Sequence, residues 1–379
     1  MSDDSIPWLR RRTILLTMAG SRAYGTNTPT SDVDIKGVAI PPREYILGFS
    51  QGFEQADKPS HMTKFMDCLP PGAEEVARAT KLEGTIFELR KFMSLAADCN
   101  PNILDILFAH SKDVLLCTDA GRTLRDNRNL FLSKVARYRF SGYAMSQLKR
   151  IQTHRKWLLD PPTAPPTRES FGLRSEYQIP KAQLQAVQAS VQKQLDKWNE
   201  GYMDELEESM KIRMREGISQ LLAELKVTAE TKFSLAARGL GFEENFILYL
   251  QKEREYASAL QHWNQYLTWK ENRNPERSEM ERKYGFDTKH GMHLCRLLRM
   301  CREILTTGEV LVYRQDAAEL LAIRNGEWTY DRLIGWAEEQ DLAMDDLMKT
   351  SSLPKSADRG ALNALCVNIV EASLSSGDP

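Results

Sequence analysis

The chain has 379 residues, and 51 Lys and Arg against 52 Asp and Glu leave a net charge of −1. With 42% apolar and 27% charged residues, and neither Gly nor Pro in excess, the composition is that of a globular protein and excludes collagen-like and low-complexity classes. The charge balance excludes a wholly basic nucleic-acid coat, so any anion-binding surface must be a local patch, and the length predicts two or three domains at about 150 residues each, or one compact domain with a large extension.

Residues 13–18 are apolar and β-branched and predict a strand that ends at the Ala19-Gly20-Ser21 turn. Residues 32–38 alternate polar and apolar side chains, as a half-buried strand does, and Pro41-Pro42 stops them. Residues 50–80 read as a polar loop or weak hairpin, and Thr85-Ile86-Phe87 as a strand centre. Leu89, Phe92, Leu95 and Ala96 recur at helical spacing, and Asn100-Pro101-Asn102 starts a second helix. Beyond residue 120 the pattern is helical, with a proline-rich linker at 160–166, polar helices inserted around 181–240 and a short strand expected at Val310–Tyr313. The expected fold class is α+β: a mixed sheet with helices in a domain of residues 1–120, then an α-helical accessory region of residues 121–379.

Chemistry concentrates at Gly20-Ser21 and at Asp32-Val33-Asp34. Side chains alternate along a strand, so Asp32 and Asp34 share a face. Two carboxylates side by side disfavour joint ionisation unless a cation lies between them. Carboxylates suit a hard ion such as Mg²⁺, which is commonly completed by phosphate oxygens. Gly20 lets backbone N–H groups approach a phosphate closely and Ser21 offers a hydroxyl. The bland alternative is an acidic hairpin strand that binds nothing.

This order of strand, Gly-Ser turn, loop and Asp-x-Asp strand resembles the nucleotidyltransferase superfamily of DNA polymerase β. The likeness extends over Leu89-Arg90-Lys91-Phe92, Asn100-Pro101-Asn102 and Phe286–Leu294, which are similar to a bacterial and phage group of predicted nucleotidyltransferases, the YcgL-like branch. The resemblance implies a polymerase β-like palm and a third carboxylate on a later strand. Glu83 and Glu88 bracket that strand, with Glu83 favoured. It also implies two Mg²⁺ ions, or Mn²⁺, held by Asp32, Asp34 and Glu83. The implied reaction transfers a nucleoside monophosphate from an NTP, ATP favoured, to an acceptor hydroxyl with release of pyrophosphate. An RNA 3′ end, as in tRNA, is the favoured acceptor. A protein hydroxyl, or a non-catalytic RNA-binding relative, is the alternative.

Two cationic patches add to this. On a helix Lys289, His293 and Arg296 share a face suited to closing over the nucleotide, beside a leucine core. Arg137, Arg139, Lys149, Arg150, Arg155 and Lys156 form an acid-free segment interleaved with Tyr138, Tyr143 and Trp157, which suits a polyanion backbone or, equally, a solvated helix face. His290, His293 and Cys295 lack a fourth ligand for zinc. The six cysteines contain no CxxC pair and read as free thiols. No run approaches 18 apolar residues, and the acid-first N-terminus lacks the pattern of a secretory signal. The expectation is a cytoplasmic protein without membrane contact. Base identity and oligomeric state are not written in these motifs.

Overall fold

Strand β1 (Thr13–Ala19) is buried along its whole length, which suits its β-branched and apolar residues to the middle of a sheet. In the computed structural model, which describes residues 6–49, 51–200, 229–273 and 275–375, β1 is flanked on both sides. Strand β2 (Val33–Ala39) runs antiparallel to it with Ala19 opposite Asp34, and β5 (Val114–Cys117) runs antiparallel on its other edge. Strand β4 (Leu82–Glu88) lies parallel to β2, in a register that sets Glu83 beside Asp34. The short β3 (Gln55–Ala56) closes that edge, and the order is β3-β4-β2-β1-β5.

A parallel β2–β4 pair requires a crossover, and residues 40–81 supply it. This corrects the loop or hairpin expected over 50–80. Besides β3, the segment holds helices Pro59–Met62 and Pro71–Ala79, each with proline in its first turn, where a missing N–H costs nothing. Pro59–Met62 is a single turn, too short for helical periodicity to show. Val310–Tyr313 joins no ladder. Val310 and Val312 are buried in an extended connection, and Arg314 N donates to the Tyr24 carbonyl at 3.1 Å.

Adjacent strand residues face opposite layers. Leu15 and Val38 pack with Phe92, Leu104, Phe140, Leu294 and Leu298, whereas Leu16 and Ile35 pack with Met62, Phe65 and Ile86. The first layer joins the sheet to helices Leu89–Ala97, Pro101–Leu107, Ala136–Leu159 and Thr288–Thr307. Contacts therefore divide the chain into Met1–Arg155 with Glu276–Pro379, and Lys156–Pro275. This differs from a division at residue 120, because the helices after 276 share the core of the sheet.

The second unit has its own core of Leu184, Val191, Phe233, Ile247 and Leu250. Arg168 and Glu253 form a buried two-bonded pair there, at 2.9 and 2.5 Å. The insertion expected around 181–240 falls in this unit, although its residues 201–228 lie outside the described ones. All six cysteines are free, and no described helix is long and apolar enough to cross a membrane.

Candidate active site

The site begins where β1 turns. Gly20 has φ +60°, and a Cβ there would lie 2.1 Å from Asp34 Oδ2. Only glycine allows the turn to sit against that carboxylate. The short helix Gly20–Tyr24 follows and stops at Gly25, which is also left-handed. Arg22 then fixes the loop. Its Nε donates to the Asp32 carbonyl at 3.3 Å and its Nη2 to the Ser31 carbonyl at 3.2 Å. Asp32 is held by its backbone while its side chain stays exposed.

Asp32 and Asp34 belong to one strand end, and Glu83 is the neighbour of Asp34 on β4. Burial raises the pKa of Asp34 above the usual carboxylate range; repulsion from Glu83 and Asp32 adds to this, while Lys36 and Lys289 oppose it. The three acids thus act on one another. Glu88 lies elsewhere: it is buried, caps the helix Leu89–Ala97 by accepting from Lys91 N at 3.0 Å, and pairs with Arg90 at 2.9 Å. Of the two candidate acids, register brings only Glu83 to the pair.

Among the described residues no three His, Cys, Asp or Glu side chains form a metal cage by themselves. Glu83 is turned to Lys81, at 2.5 Å. A hard cation completed by phosphate oxygens needs only one or two carboxylates from the protein, and Asp32, Asp34 and Glu83 are a donor set of that kind. The zinc arrangement of His290, His293 and Cys295 does not form. Cys295 is buried with its thiol pushed up to about 12, and burial pushes His290 down to about 4.

Beside Asp34 opens a cavity of about 210 Å³, lined by Gly20, Tyr24, Lys36, Asn102, Tyr143 and Gln147, with His293, Arg296 and Leu297. The 288–307 helix does bring its expected face to the acids. Asp287 caps it by accepting from His290 N at 3.0 Å, and Lys289 acts electrostatically on Asp34. Two details differ from a simple cationic face. His293 is held well below its usual pKa, by burial first and then by Arg296, so it is a neutral imidazole. Arg296 is buried, its guanidinium 3.8 Å over the Tyr24 ring and 3.9 Å from Asp105, and Tyr24 Oη donates to Asp105 at 2.5 Å.

The 137–156 segment is not one open cationic surface. Arg137 is buried, bonded to Asp341 at 2.9 Å and Asp345 at 3.0 Å. Arg139 meets the Asp98 carboxylate at 3.4 Å, and Arg155 donates to the Gly285 carbonyl at 2.8 Å while stacking on Tyr330. Lys149 and Arg150 are exposed on this helix, and Lys156, also exposed, belongs to the second unit. Acids distant in sequence, which local spacing does not show, neutralise Arg137 and Arg139, and a distant carbonyl and ring engage Arg155. Sequence reasoning missed Lys36, Asn102 and Gln147 as cavity residues. For Lys36 a signal existed, since it lies two positions after Asp34 and shares its strand face.

Residues 7–159 match the sequence model of the RNA repair pathway DNA polymerase beta family, RlaP. This part of the chain is therefore similar to a polymerase β-like family. The chain is also 23% identical over 334 residues to the uncharacterized 38.9 kDa protein in the nrdC-mobD intergenic region of Enterobacteria phage T4, covering 86% of this chain and 87% of that protein. No solved structure matches it. The nucleotidyltransferase match contains the Gly20 turn, all three acids, Lys36, Asn102 and Gln147. The helix that carries Lys289, His293 and Arg296 lies beyond it in sequence, within the same compact unit.

Proposed function

We propose that the protein is a Mg²⁺-dependent nucleotidyltransferase that joins a nucleoside monophosphate, from ATP by preference, to the 3′ hydroxyl of an RNA such as tRNA and releases pyrophosphate. The observation that carries this reading is the acid cluster of Asp32, Asp34 and Glu83, set against the Gly20 turn and opening on a cavity lined by Lys36 and Arg296. The RNA repair description of the matching family supports RNA as the acceptor.

Asp32, Asp34 and Glu83 would hold the metal, which when bound supplies charge neutralisation and a more acidic acceptor hydroxyl. The remaining work belongs to the chain. Gly20 keeps the turn close enough for its backbone N–H groups and the Ser21 hydroxyl to hold the terminal phosphates. Lys289 sets a positive charge over the acids, where the triphosphate brings its own negative charge. His293 serves as a neutral hydrogen-bonding group and Arg296 as a fixed wall. The acceptor oxygen attacks the α-phosphorus, the bond to the β-phosphate oxygen breaks, and positioning with charge compensation carries the reaction without a protein nucleophile.

The test is transfer from each α-labelled NTP with Mg²⁺ to RNA ending in a 3′ hydroxyl, to the same RNA ending in a 3′ phosphate, and to protein. Label on the 3′-hydroxyl RNA alone is expected. Equal labelling of both RNAs, or label on protein with neither RNA labelled, overturns the RNA-end reading.

A further inference from the structure

The turn that carries Gly20 and Ser21 cannot hold its own place. The helix Gly20–Tyr24 is little more than one turn long, and Ala19 ahead of it offers no side-chain cap. A single helical turn is unstable alone, because fixing its backbone costs more than its few hydrogen bonds supply. Glycines in the left-handed region stand at both ends, Gly20 at φ +60° and Gly25 at φ +72°. The position of the turn against Asp34 must therefore come from tertiary contacts, and these converge on Tyr24.

Tyr24 is 5% exposed. Its hydroxyl donates to Asp105 Oδ2 at 2.5 Å, the Arg296 guanidinium covers its ring at 3.8 Å, and its carbonyl accepts from Arg314 N at 3.1 Å. Gly25 follows so close to the Tyr313 ring that a Cβ would lie 2.9 Å from it. Asp105 is buried on the helix Pro101–Leu107. Among the described residues Tyr24 is the one hydrogen-bond donor to its carboxylate, and Oδ1 has none. A buried carboxylate so thinly bonded costs stability, and an apolar side chain of similar size would fill the place at less cost. What the carboxylate adds is direction: a hydrogen bond fixes where the Tyr24 oxygen lies, and apolar packing does not. Arg296, 3.9 Å from Asp105, joins the acid and the ring.

We propose that Tyr24 and Asp105 are positioning residues: their hydrogen bond, clamped by Arg296, holds the Gly20–Ser21 turn where the nucleotidyltransferase reading, on which this inference rests, needs it. The test pairs amide hydrogen–deuterium exchange of the full-length protein over residues 20–26 with kcat and KM for ATP in transfer to RNA. Tyr24→Phe keeps the ring under Arg296 and removes one oxygen. Asp105→Ser keeps a polar group that stops short of Tyr24. Each should speed exchange at 20–26 about tenfold relative to strand β1 and lower kcat about tenfold, part of the roughly hundredfold that a displacement of about 1 Å costs, with KM changed less. Asp105→Asn keeps an oxygen that accepts from the tyrosine and should hold both readouts near wild type. Unmoved exchange in Tyr24→Phe would overturn the assignment, as would exchange that quickens across the whole chain in step with 20–26. So would an Asn variant that loses as much as the Ser variant, because charge and not the hydrogen bond would then matter. Local exchange that moves as expected in a protein that transfers nothing would uphold the anchor and sink nucleotidyl transfer. Transfer by the wild type with kcat unmoved in Tyr24→Phe would do the reverse.

Discussion

At the scale of single residues, the Gly20–Asp34 contact is the tightest constraint in the site. Gly20→Ala would drive a methyl group into the carboxylate at a left-handed φ. It should cut kcat by about a hundredfold, the usual cost of a displacement of about 1 Å at a reacting centre, with secondary structure by circular dichroism unchanged. Asp34 itself carries a pH signature. Its folded pKa is raised, so the folded state holds the proton more tightly than the unfolded chain does, and stability falls as pH rises out of the ordinary carboxylate range. At neutral pH the ionised side chain therefore destabilises the metal-free protein. Asp34→Asn should abolish transfer yet raise the melting temperature at pH 7 in chelator by about 1–3 °C. That gain should shrink as pH falls through the ordinary carboxylate range, because the folded state takes up the Asp34 proton more readily than the unfolded chain does. A variant that melts below wild type at pH 7 would contradict the repulsion argument.

Elements set which cations are open. Arg137 ties the helix Ala136–Leu159 to Asp341 and Asp345 on the helix Tyr330–Thr350. Arg137→Ala should lower stability by about 1–3 kcal/mol, since it strips the partner from charged groups that are partly buried. It should leave the salt dependence of RNA binding where it was. Arg150→Ala should do the opposite: near-wild-type melting, with the log–log salt slope of RNA binding reduced by about 0.7, one single-strand phosphate contact. Thermal melts and a salt titration on both variants separate the two roles. On the helix Thr288–Thr307, Lys289→Glu should raise the KM for NTP through its effect at Asp34. Reversal at the buried Arg296 should unfold the protein before any binding can be read.

At the scale of the molecule, the sheet does not own its core. Ile14, Leu15 and Val38 share one cluster with Leu294, Leu297, Leu298 and Ile304, more than 250 positions later. A chain cut after residue 155 would expose the face of the sheet that those leucines cover. It should be recovered aggregated rather than as a small nucleotidyltransferase. Soluble, cooperatively melting protein of residues 1–155 would show that the C-terminal helices are dispensable to the fold.

The sequence alone determined what is local. The strand–turn–strand order, the shared face of Asp32 and Asp34, the Leu89 and Asn100 helix starts, and the one-sided spacing of Lys289, His293 and Arg296 all follow from periods of two or 3.6 residues and from capping chemistry. Tertiary structure decided what depends on partners distant in the chain. The parallel register of β4 on β2 put Glu83, and not Glu88, beside Asp34. Asp341 and Asp345 removed Arg137 from the cationic surface, and Asp105 drew Arg296 inward. The floor of Lys36, Asn102 and Gln147 comes from a strand and two helices, and none of the three carries a periodic signal for the others. Strand pairing and ion pairing are long-range contacts whose register depends on the whole packed core, and for that reason a residue's neighbours in sequence do not reveal them.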